Sequence, residues 1–67
     1  MSALQPHQQR VVDECNELTI KTAKLGMFFG SPSFKTIDAA EQARLNKQWL
    51  IMQQLIDVLQ ERIEAFQ

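Results

Sequence analysis

The segment FFGSPSFK, residues 28–35, holds the groups in this chain best suited to meeting an anion. Gly30, Ser31, Pro32 and Ser33 read as a tight turn just before a helix start, where backbone N–H groups and hydroxyls offer donors of the kind that hold phosphate. Lys35 adjoins the turn, while Lys21 and Lys24 stand on the preceding helical segment, in reach of such a pocket from their own chain or from a symmetry mate. Phe28, Phe29 and Phe34, three of the five aromatic residues, flank the turn. They make either the wall of a pocket or an apolar cap that closes the end of a helical hairpin. Gly-Ser-Pro-Ser is also ordinary loop chemistry, so the turn alone is a weak signal for a ligand.

Catalytic patterns are missing from the rest of the chain. There is no P-loop, no Gly-rich dinucleotide turn after a strand, and no helix with two metal-spaced histidines. Cys15 has only His7 as a basic neighbour, two helical turns away and too far for an ion pair, and it falls on the apolar repeat, so it is expected as a small core residue. With one Cys and one His, the chain forms no intrachain disulfide and supplies no zinc set, and no cofactor is implied. Asp13, Glu14, Glu17, Asp57, Glu61 and Glu64 are expected on outer faces as solvated charge. His7, near the start of the first helix, is expected to be exposed, with a ring able to stack on a base if assembly buries it. Seven Lys and Arg against eight Asp and Glu give a formal charge of −1, which argues against long nucleic acid as a partner. The beginning MSALQPHQQR has neither the positive start nor the apolar run of a secretory signal, and no stretch is apolar enough to span a bilayer; a cytoplasmic protein is expected.

Two helices position these groups. Val11, Cys15, Leu18, Thr22, Leu25 and Phe29 recur in steps of four and three, which predicts a first helix over about 6–26. Pro6 suits its first turn, Glu17 and Lys21 are spaced for an i,i+4 pair on its outer face, and Gly26 weakens its end. A turn over about 27–37 follows. Asp38 and Glu41 predict a reciprocal cap at the start of a second helix over about 38–66, with Thr36 the alternative start. That helix carries two apolar stripes. Leu45, Trp49, Met52, Ile56, Leu59, Ile63 and Phe66 form an unbroken seven-residue seam for packing against the first helix. Ile51, Leu55 and Val58, with Ala65 and the interleaved Arg62, form a second stripe that one hairpin cannot cover. A chain of 67 residues has a thin core and usually needs a staple, and self-association is the one left to it. The expected fold is therefore all-α: a two-helix antiparallel hairpin that assembles into a helical homo-oligomer through Ile51, Leu55 and Val58, with Phe28, Phe29 and Phe34 packed against a neighbour.

The segments HQQRVVDECNEL, KTAKL, FFGSPSF and EQARLNKQWLIMQQLIDVLQERIEAF occur in the order found in a known family, and together they span about Gln5 to Phe66. The chain resembles the small phage-encoded hairpin proteins that act as sponges for cyclic oligonucleotide signals, the anti-CBASS sponge family, whose hairpin domain is shared with the Thoeris anti-defence sponges. The resemblance implies a non-catalytic compact hexamer that binds cyclic dinucleotides, such as 3',3'-cyclic GMP-AMP, between protomers. It further implies that the protein sequesters the messenger made on infection in the cytoplasm of the bacterial host. Some relatives also hold cyclic trinucleotides at separate sites on the hexamer axis. In that family an aromatic near the start of the first helix stacks on a base and a later lysine meets phosphate. Here the aromatic position falls on His7, where the family pattern has Tyr, and the lysine segment contains both Lys21 and Lys24. Ser31 matches the turn serine, with Ser33 its neighbour, and Arg62 matches the C-terminal arginine, suited to a trinucleotide site or to an ion pair between subunits.

A reading from another class competes with this one: a coiled-coil adaptor that binds a protein partner through Ile51, Leu55 and Val58. Direct DNA contact has less support, because neither helix shows a basic recognition face.

Overall fold

The computed structural model describes residues 3–66. Its elements are α1 (Pro6–Phe28), α2 (Pro32–Lys35) and α3 (Ala39–Glu64), with α1 and α3 packed along their length. At the start of α1, the Gln8 side-chain oxygen accepts a hydrogen bond from the Gln5 N–H at 2.8 Å, and Pro6 occupies the first turn, where no intrahelical donor is needed. Val11 and Cys15 of α1 are buried with Ile56 and Leu59 of α3, while Thr22 meets Trp49, so the two long helices run antiparallel. Leu18, Ile63 and Phe66 pack against that core.

Every member of the seam from Leu45 to Phe66 is buried or half-buried. A seven-residue repeat keeps one stripe facing the partner over the full length of a helix, which is why this stripe closes on α1. The resulting core is narrow. The hairpin is a rod of 51 × 16 × 14 Å, and the buried apolar side chains among the described residues are Val11, Cys15, Ile56 and Leu59.

α1 runs through Gly26 to Phe28 and stops just before Gly30, Ser31 and Pro32. The Gly26 backbone has ordinary helical handedness. The reason for glycine is instead the approach of Trp49: a Cβ at position 26 would lie 3.2 Å from Nε1 of the indole. The indole N–H donates to the Thr22 carbonyl at 3.2 Å, and the Thr22 hydroxyl donates to the Leu18 carbonyl at 2.7 Å. Tertiary packing has overridden the low helix propensity of glycine.

The connection also differs from the turn expected over 27–37. Residues 32–35 form the single helical turn α2, with Pro32 at its start. Asp38 does stand at the N-cap of α3, but its side chain makes no capping bond, and Glu41 pairs with Arg44 at 2.7 Å instead of reaching back. The side-chain amide of Gln42 takes over the joint, donating to the carbonyls of Phe34 and Ile37, each at 2.9 Å. No described helix is long and apolar enough to cross a membrane.

Candidate ligand-binding face

Successive heptads put His7, Lys21 and Lys24 on one flank of α1, beside the buried stripe, and all three are exposed. Lys21 and Lys24 are one helical turn apart and act on the same locality. His7 lies fourteen residues before Lys21, about 21 Å along the helix axis at 1.5 Å per residue. Arg62 is exposed on α3 near the His7 end, since the hydrogen bond from Trp49 to the Thr22 carbonyl sets the antiparallel register, while Ser31 and Ser33 sit at the opposite end. The hairpin thus gathers the two lysines toward the turn, and His7 with Arg62 at the far end. It does not bring the two groups together.

Among the described residues the one ion pair is Arg44 with Glu41. The Glu17–Lys21 pair suggested by spacing does not form, so Lys21 and Lys24 keep their full donor capacity. The turn is less available than its sequence suggests. Ser31 Oγ donates to the Phe28 carbonyl at 2.7 Å, and the Ser33 carbonyl accepts from the Thr36 hydroxyl at 2.7 Å. The N–H groups of Gly30, Ser31, Phe34, Thr36 and Ile37 all bond to carbonyls within the connection.

Phe28, Phe29 and Phe34 are half-buried within the protomer itself. The Phe34 ring meets Phe29 edge-on with centroids 5.1 Å apart and Phe28 with centroids 5.8 Å apart, and Phe29 continues to Trp49 at 6.2 Å. Such edge-to-face contacts tie the connection to the end of the hairpin.

The second stripe of α3 stays open in the single chain: Ile51, Leu55 and Val58 are 53%, 41% and 47% exposed. Antiparallel helices present like flanks to the same side, so this apolar stripe and the charged flank of α1 share one face of the rod. Toward the turn, the stripe widens into an open depression of about 390 Å³ lined by Arg44, Lys47, Gln48, Ile51 and Met52. Arg10 also belongs to this face. It is exposed, one turn beyond His7 on the same flank, and the i,i+3 spacing from His7 was the signal in the sequence that marks it.

The Sequestin family model matches residues 5–65 of the chain. A protein of Enterobacteria phage T4, described as an uncharacterized 7.5 kDa protein in the denB-rIIB intergenic region, is 35% identical over 60 residues, covering 90% of this chain and 94% of the relative. No solved structure matches the chain. The family name speaks of sequestration, a binding role rather than catalysis, and the T4 relative ties the sequence to phage proteins. With both matches running through α1, the connection and α3, the chain belongs to the Sequestin family.

Proposed function

We propose that this protein is a phage anti-defence sponge that binds cyclic dinucleotide immune signals of bacterial CBASS-type systems and withholds them from their effector without hydrolysis. The observation that carries the reading is a pair of exposed lysines, Lys21 and Lys24, with no counter-ion, beside an aromatic-capped turn in a chain of the Sequestin family. Charge-assisted bonds from lysine to phosphate are among the stronger ones available to an exposed site.

The pocket forms between protomers. His7 lies too far from Lys21 for both to serve one cyclic dinucleotide from the same chain, but a second protomer packed antiparallel brings the His7 end of one chain to the lysine end of the other. A two-fold arrangement supplies each ring and each lysine twice, matching a ligand with two bases and two phosphates. The open stripe of Ile51, Leu55 and Val58 supplies the apolar contact for such an assembly, a hexamer by the family resemblance. Arg62, exposed on that stripe, suits a cyclic trinucleotide site or an intersubunit ion pair. The protein acts in the cytoplasm of the infected host, where the messenger is made.

Native mass spectrometry with a panel of cyclic di- and trinucleotides tests this. Oligomers carrying whole numbers of cyclic nucleotides, released chemically intact, support the proposal. Oligomers that take up none of the panel reject it. They would favour the second reading, an adaptor that binds a protein partner, which rests on the same exposed stripe.

A further inference from the structure

Arg10 stands one turn beyond His7 on the flank that also carries Lys21 and Lys24. It is spaced i,i+3 from His7, which places the two side chains as neighbours on the helix surface. It has carboxylates at hand and uses none of them. Asp13 accepts a hydrogen bond from the Gln9 side chain at 3.0 Å, and Glu14, spaced four residues from Arg10, forms no ion pair. The guanidinium is therefore exposed, uncommitted and adjacent to the ring expected to stack on a base.

Arginine and lysine serve different ends in such a face. A lysine ammonium is a point charge that satisfies phosphate from many directions, whereas the planar guanidinium fork matches two acceptors lying side by side. Guanine presents such a pair in O6 and N7, while adenine places a donor, its N6 amino group, beside N7. Arg10, one turn along from His7, is within side-chain reach of the edge of a base stacked on that ring. We propose that Arg10 reads the base edge and gives the site a preference for guanine-containing cyclic dinucleotides, with the phosphates left to Lys21 and Lys24. This rests on the sponge reading above and adds the residue that sets base specificity.

Isothermal titration of the full chain with cyclic di-GMP, 3',3'-cyclic GMP-AMP and cyclic di-AMP tests it, for wild type, Arg10→Ala and Arg10→Gln. Glutamine offers the donor and acceptor pair that adenine prefers. Wild type is expected to favour the two guanine-bearing ligands by about tenfold or more. Arg10→Ala is expected to erase that preference, and Arg10→Gln to tilt it toward cyclic di-AMP. Arg10 is exposed and without side-chain partners, so unchanged helical circular dichroism and an unchanged oligomer are expected for both variants. Equal losses for all three ligands would make Arg10 a phosphate contact and overturn the assignment, and unchanged affinities would overturn it as well. Wild type that binds none of the three ligands would instead sink the sponge reading itself.

Discussion

Replacing Leu55 by Asp sets a carboxylate in the middle of the open stripe on α3. Full burial of a large aliphatic side chain stabilises by about 1.5–3 kcal/mol. Leu55 is 41% exposed in the protomer, which leaves roughly 0.6–1.2 kcal/mol to be gained by covering it. Ile51 and Val58, 53% and 47% exposed, bring the stripe to about 2–4 kcal/mol per protomer. In a two-fold contact each residue acts twice, so Leu55→Ala should weaken association by roughly tenfold. Leu55→Asp adds the burial of two unpaired carboxylates, each penalised by more than the lost contact, and should weaken association by at least about 100-fold. Sedimentation velocity across a concentration series measures both variants against wild type. Sedimentation profiles for Leu55→Asp that superimpose on wild type at every concentration would refute the assignment of this stripe as the protomer contact.

Further expectations concern the ligand and the core. Lys21→Ala and Lys24→Ala, made separately, should each weaken cyclic dinucleotide binding by about 10–100-fold if both meet phosphate, and the wild-type affinity should fall with added salt; titration calorimetry at two ionic strengths reads both, and two variants that bind as wild type does would clear the lysines from the site. Gly26→Val should lower the thermal midpoint, because a Cβ at 3.2 Å from the Trp49 indole nitrogen forces the ring to move. Overpacking of this kind costs about 1–3 kcal/mol, and a midpoint at or above the wild-type value would contradict the packing reason given for that glycine. Cys15, 6% exposed in the core, should resist Ellman's reagent in the folded protein and react fully in denaturant; rapid labelling of the native protein would place the thiol elsewhere.

What the chain determines without its fold is whatever depends on short-range periodicity. The seam from Leu45 to Phe66 repeats every seven residues, and a helix turns such a repeat into one continuous stripe, so its burial against Val11, Cys15 and Leu18 follows from spacing. The exposure of Ile51, Leu55 and Val58 follows in the same way, because one partner helix covers one stripe. Local propensity served less well wherever a distant residue intervened. Gly26 reads as a weak point near the end of a helix, and only the fold shows that Trp49, far along the chain, packs where a side chain would otherwise stand. Asp38 and Glu41 read as a reciprocal cap, but Arg44 draws Glu41 away and Gln42 binds the connection. Residues 30–33 read as a set of free phosphate donors, and only the structure shows the N–H groups of Gly30 and Ser31 and the Ser31 hydroxyl turned onto carbonyls. Spacing along the chain therefore decided which faces are apolar and which residues share a flank, while the choice of partner for each polar group waited on the tertiary structure, because hydrogen bonds are directional and answer to whatever the fold brings within reach.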